Sequence, residues 1–171
     1  MSLIDRARVA LAATICTVAL GSAACRKADF PSPAEADHSA LADTLTQLVD
    51  TAWDFSKGDV VDHLMSLYPQ TGPVYSAAGG RVTTSRDSLR TQIETFWRFV
   101  GQNMRNPRFE RIFTHVDVLA PDAAVLTTTY HIPHIQPNGM AHDLGGAMTL
   151  VFRRRNGRWS VIAEHLSDAP R

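Results

Sequence analysis

The chain has 171 residues, one domain's worth with a short excess. Hydrophobic residues make up 44% of it, as in an ordinary globular protein, and can supply a core. Seventeen Lys and Arg balance seventeen Asp and Glu, and this zero formal charge argues against a general nucleic-acid binder.

The first residues read as an address. Arg6 and Arg8 precede an apolar run from Val9 to Leu20, shorter than the stretch that identifies a membrane span. Small residues follow, Gly21-Ser22-Ala23-Ala24, which completes the layout of a secretory signal peptide over residues 1–25. The only cysteines are Cys16 and Cys25, so the globular part has no disulfide. Leu20-Gly21-Ser22-Ala23-Ala24-Cys25 resembles a bacterial lipobox, although the usual leucine would stand at Ser22. The resemblance implies an exported protein, acylated on Cys25 and anchored to a membrane of the cell envelope. Plain cleavage near Ala24, giving a periplasmic protein, and an uncleaved anchor are the alternatives. Residues 26–38, with Pro31 and Pro33 and no hydrophobic period, read as a tether.

The domain is expected over residues 39–168. Leu41, Leu45, Leu48, Val49, Ala52 and Trp53 fall at helical spacing, and Lys57-Gly58 is the stop. Asp59 caps a shorter helix with Val60, Val61, Leu64, Leu67 and Tyr68 as its apolar positions, ended by Pro69. Val74-Tyr75-Ser76 and Arg81-Val82-Thr83 flank Ala77-Ala78-Gly79-Gly80 as a small hairpin. Thr84 or Ser85 caps a third helix, with Leu89, Ile93, Phe96, Trp97 and Val100 on its apolar face and Gly101 after it. Strands are expected at Phe109–Leu119, Ala124–Ile132, His142–Arg155 and Arg158–Ser167, with Pro133 to Gly139 as a loop.

Asn156-Gly157 is the strongest turn signal, because a type I′ turn needs positive φ at both central residues. A two-residue loop pairs Arg155 with Arg158, Phe152 with Val161, Leu150 with Ala163 and Met148 with His165. Alternation then puts Met148, Leu150, Phe152, Val161, Ala163, His165 and His142 on one covered face, with exposure beside the loop the alternative for His142, and Asp143 and Glu164 on the other. A bulge would shift this register by one and turn His165 outward. The basic run Arg153-Arg154-Arg155 reads as a solvated hairpin end.

Helices first and a strand meander after them mean α+β, a strongly curved, mostly antiparallel sheet rolled over three N-terminal helices. The order of elements, Val116-Asp117-Val118-Leu119 running into Pro121-Asp122-Ala123-Ala124-Val125, and the ending Asn156-Gly157-Arg158-Trp159-Ser160-Val161-Ile162-Ala163-Glu164-His165-Leu166-Ser167 resemble the nuclear transport factor two-like superfamily, and within it SnoaL-like and ketosteroid isomerase-like domains. Members often end in His-x-His-x-Ser; here His165 and Ser167 match and Ala163 stands for the first histidine. The resemblance implies a cone with a pocket between sheet and helices, and frequent homodimers through the sheet's outer face. It does not select among isomerases, cyclases, hydratases and binding modules.

His165 is the first candidate for acid–base work, as an imidazole expected on the covered face. Tyr130 takes, by resemblance, the role of hydrogen-bond donor to a developing oxyanion. Trp53, Tyr75, Trp97, His115 and His142 complete the expected ligand-binding set. No cofactor and no metal are expected: His131 and His134, three apart on a strand, point to opposite faces. The leading expectation is a small, largely apolar molecule bound in a cavity beside His165. An isomerase or cyclase using His165 with Tyr130 is the rival. A ligand and a membrane are the expected partners, and nucleic acid is not.

Overall fold

The computed structural model describes residues 35–169. The signal-like segment and Cys25 lie outside them. Helix α1 spans Glu35–Ala52, so it begins within the stretch read as tether. Leu45, Val49 and Ala52 are buried on its inner stripe, while Leu48 sits at the stripe's edge, 36% exposed. Each fully buried leucine or valine contributes about 1.5–3 kcal/mol of apolar transfer.

Helix α2 spans Val60–Met65, and its cap is the expected one: Asp59 Oδ1 accepts the Asp62 N–H at 3.1 Å. Strands β1 (Tyr75–Ala78) and β2 (Arg81–Thr83) form the small hairpin, closed by Gly79 and Gly80, both at positive φ. Ser85 caps α3 (Arg86–Phe99) by accepting the Ser88 N–H at 3.2 Å. A 3₁₀ turn at Gly101–Asn103 leads to β3 (Glu110–Ala120), β4 (Ala123–Ile135), β5 (Ala141–Arg155) and β6 (Arg158–Asp168). The six strands form one sheet in the order β2-β1-β6-β5-β4-β3. All neighbours are antiparallel except β1 and β6. This is the expected α+β fold.

Strand β4 runs past the expected end, through Pro133. Ile135 exchanges both backbone hydrogen bonds with Arg105, and the Pro133 carbonyl accepts from Arg108 on that same side. The proline nitrogen therefore faces a side that β3 has already left, and no ladder bond is lost.

The hairpin register is correct for its first half only. Asn156 and Gly157 have φ of 51° and 77°, Arg155 pairs with Arg158 and Phe152 with Val161, as expected. Then Val151 pairs with Ala163, leaving Ile162 as an extra residue. The cause is Val161, whose N–H goes to the Leu67 carbonyl at 2.8 Å. Beyond this bulge every side chain of β6 changes face. Leu150 now opposes Glu164, and Met148 opposes Leu166. Glu164 turns into the core and His165 turns out, the reverse of the unbulged register.

The core lies between the helices and the inner face of the sheet. Its centre is Leu45, Val49, Met65, Leu89, Leu126, Met148, Leu150, Phe152 and Val161, each at most 2% exposed.

Candidate functional site

The inner face carries a contiguous set of aromatic rings at one end of the sheet. Trp53 follows the last turn of α1, Phe55 lies in the next turn, Phe109 precedes β3, and Tyr130 points inward from β4. Trp53 stacks on Phe109 with centroids 5.0 Å apart, and Phe109 stacks on Tyr130 at 5.5 Å. Trp53 lies 5.8 Å from Tyr130 and meets Phe55 edge-on at 6.0 Å; Phe55 stacks on Trp97 of α3 at 6.0 Å. Gly101 leaves room for Trp97: a Cβ there would overlap its indole.

Around Trp53, Phe55 and Phe109 opens a cleft of about 460 Å³, whose other lining residues are Asp50, Asp54, Ser56, Pro107, Arg108 and Arg111. Its charges are mostly committed. Arg111 grips Asp50 with two bonds, Nε to Oδ1 at 2.7 Å and Nη2 to Oδ2 at 2.8 Å, and that pairing raises the guanidinium pKa. Its Nη1 also donates to Thr114 Oγ1. Asp54 accepts from the Ser56 hydroxyl and backbone N–H and pairs with Lys57 at 3.0 Å. The Ser56 hydroxyl first, then Lys57, lowers its pKa to about 2. The cleft thus offers flat aromatic surface beside neutralised ion pairs.

Tyr130 is 8% exposed, and burial first, then the Asp168 charge, raises its pKa. Gly146 stands between them, paired with Tyr130 on β4 and with Asp168 on β6. Having no side chain, Gly146 leaves room for the phenol: an added Cβ would lie 3.3 Å from its hydroxyl and overlap the Ser167 carbonyl.

A second polar cluster lies deeper. Glu164 Oε2 accepts from the Tyr68 hydroxyl at 2.5 Å and Oε1 from the Ser76 hydroxyl at 2.6 Å. All three side chains are buried. Burial raises the Glu164 pKa, although both hydrogen bonds oppose it. Burial and the facing carboxyl raise that of Tyr68 as well.

Of the expected site residues, Trp53 and Tyr130 come together, and Trp97 joins them through Phe55. Tyr75 and His115 do not. Tyr75 is 50% exposed on the outer face, and His115 lies on the outer face of β3 beside Asp117. His165 is exposed on that outer face because of the Ile162 bulge, so it lies across the sheet from Tyr130 and lines no cleft with it. His142 is on the inner face but farther along the sheet, against His134. Asp143 is outward, as expected, bonded to His131; Glu164, expected outward, is not. Phe55, Phe109 and the Asp50–Arg111 pair carry no motif. Phe109 stood at a strand's edge in the sequence, and only the chain's return to α1 gives it a partner. Among the described residues no group of three or more His, Cys, Asp or Glu is arranged to hold a metal.

This architecture has known counterparts. A crystal structure described as a candidate calcium/calmodulin dependent protein kinase II association domain from Xanthomonas campestris is 23% identical, with 81% of this chain and 90% of that one covered and a TM-score of 0.55. A candidate scytalone dehydratase from Novosphingobium aromaticivorans is 14% identical over 80% and 89% of the two chains, with a TM-score of 0.64. A nuclear transport factor 2-like superfamily protein from Salmonella enterica is 14% identical over 78% and 94%, with a TM-score of 0.62. At these identities the likeness shows the fold alone. No curated protein matches the sequence. The model of the calcium/calmodulin dependent protein kinase II association domain matches residues 41–170. The chain therefore belongs to the calcium/calmodulin dependent protein kinase II association domain family, with the fold of the nuclear transport factor two-like superfamily.

Proposed function

We propose that this is an exported, lipid-anchored domain that binds a small, flat, largely apolar molecule in the aromatic cleft. The observation that carries the reading is the run of rings from Trp97 through Phe55, Trp53 and Phe109 to Tyr130. Of these rings Trp53, Phe55 and Phe109 line the cleft and take a planar ligand by stacking, with Tyr130 and Trp97 packed behind them. Export and anchoring rest on the basic, apolar and small-residue order before Cys25. The test is native mass spectrometry of the full chain after purification, beside Trp53→Ala. A small molecule that stays with the parent and leaves the variant, with the variant still folded, supports the cleft; a ligand retained equally by both sinks it. Cys25→Ser should abolish incorporation of labelled palmitate.

One observation favours a second reading, proton transfer at Tyr130. The Tyr130 phenol feels Asp168 most strongly among the charges around it, and both belong to the inner face. His165 cannot partner Tyr130 from across the sheet, so the carboxylate of Asp168 takes the base's place. A bound carbonyl compound would then exchange its acidic C–H with deuterated water. Tyr130→Phe and Asp168→Asn should each slow that exchange while binding persists; binding with no exchange in the parent rules this reading out.

A homodimer through the sheet's outer face is the third part of the proposal. Val125, Thr127, Thr149, Val151 and Ala163 form a half-buried patch of neutral, mostly β-branched side chains at its centre. No charge interrupts it, which suits packing against a second sheet.

A further inference from the structure

We propose that His134 and His142 form a binding site for one transition-metal ion of the Cu²⁺, Ni²⁺ and Zn²⁺ class. The two residues are directly opposite on β4 and β5, both on the inner face. Their ring centroids are 5.1 Å apart at an interplanar angle of 62°. With metal–nitrogen bonds of about 2.0–2.1 Å, two imidazoles on one tetrahedral ion have centroids about 5 Å apart. The ring centres already have that separation, and His142 is the exposed one of the two.

His134 is prepared for this role. Its Nδ1 lies 2.8 Å from the Ile132 carbonyl oxygen, which can only accept. Nδ1 therefore carries the proton, and Nε2 of the neutral ring keeps its lone pair. A backbone carbonyl behind one ring nitrogen is the support that orients ligating histidines and raises their basicity. The ring is 8% exposed and lines an open cleft of about 400 Å³ with Asn103 and Gln136. Asn103 spends its Nδ2 on the Phe99 carbonyl, so its Oδ1 is left as an acceptor. Water would fill the remaining positions.

The surrounding charges select the ion. Asp143, the nearest acid in sequence, is on the opposite face with His131. Arg105 spends its guanidinium on the Gln136 and Pro137 carbonyls. Two neutral imidazoles without a carboxylate favour borderline transition metals over Mg²⁺ or Ca²⁺.

The experiment is calorimetric titration of the untagged full chain, with Cys16 and Cys25 replaced by serine, against NiCl₂, ZnCl₂ and MgCl₂. One Ni²⁺ or Zn²⁺ per chain and no Mg²⁺ is the expected result. His142→Ala and His134→Gln should each weaken binding at least tenfold, and His131→Ala and His165→Ala should leave it unchanged. Bound metal should be released on acidification, because protons compete for the same lone pairs. His142 is exposed, so its removal leaves the fold intact. Absence of saturable binding, or binding undiminished in His142→Ala, overturns the proposal.

Discussion

Glu164 shows how one side chain reports its surroundings. Burial disfavours its charged form, so its native pKa stands above the ordinary 4.5. The folded chain then holds a proton that the unfolded chain releases. That contribution to stability is complete below pH 4.5 and is lost as pH rises through the native value. Glu164→Gln removes the titration and keeps a partner for both hydroxyls. Urea unfolding across this range should show a flatter pH dependence for the variant than for the parent. Glu164→Ala leaves the Tyr68 and Ser76 hydroxyls without their acceptor and should cost about 2 kcal/mol at pH 5. A parent whose stability rises with pH in the same window would contradict the assignment.

At the scale of elements, the β5–β6 hairpin holds two instructions of different reach. Asn156-Gly157 starts the register through local backbone preference alone. A Cβ at Gly157 would touch nothing within 4 Å, so Gly157→Ala should cost only the strain of its positive φ, about 1 kcal/mol in chemical denaturation. The second instruction comes from outside the hairpin. The Leu67 carbonyl takes the Val161 N–H, and the strand inserts Ile162 to continue. The helices follow local signals more closely. Asp59 and Ser85 cap α2 and α3 as expected, although α1 starts earlier, at Glu35, α2 stops at Met65 before Leu67 and Tyr68, and Phe96 and Val100 of the expected α3 face are exposed.

For the whole molecule, the outer face of the sheet sets the prediction. In the proposed dimer, Thr127 lies near the centre of the contact, between Thr149 and His115 on the neighbouring strands. Thr127→Arg would place an unpaired charge there and should turn a sedimenting dimer into a monomer that is still folded, with a melting temperature that no longer depends on protein concentration. A parent chain that sediments as a monomer at micromolar concentration would end the dimer reading. The aromatic cleft is also a property of the whole. Its rings come from a helix end, a turn, a strand's entrance, a mid-strand position and α3, which are distant in sequence.

The amino-acid order by itself determined the elements, their sequence, both helix caps and the type I′ turn, because each depends on residues within a few positions of one another. It also put Trp53, Trp97 and Tyr130 on elements that enclose the core, but it put Tyr75 there too, and that ring faces out, because which face of a strand is covered is set by its neighbours. What only the tertiary structure decided was the face of β6 beyond Val161, and with it the exchange of His165 for Glu164 in the interior. Side chains in a strand alternate, so one inserted residue reverses all that follow. The inserted residue answers to a carbonyl almost a hundred positions away, and no local pattern records that partner.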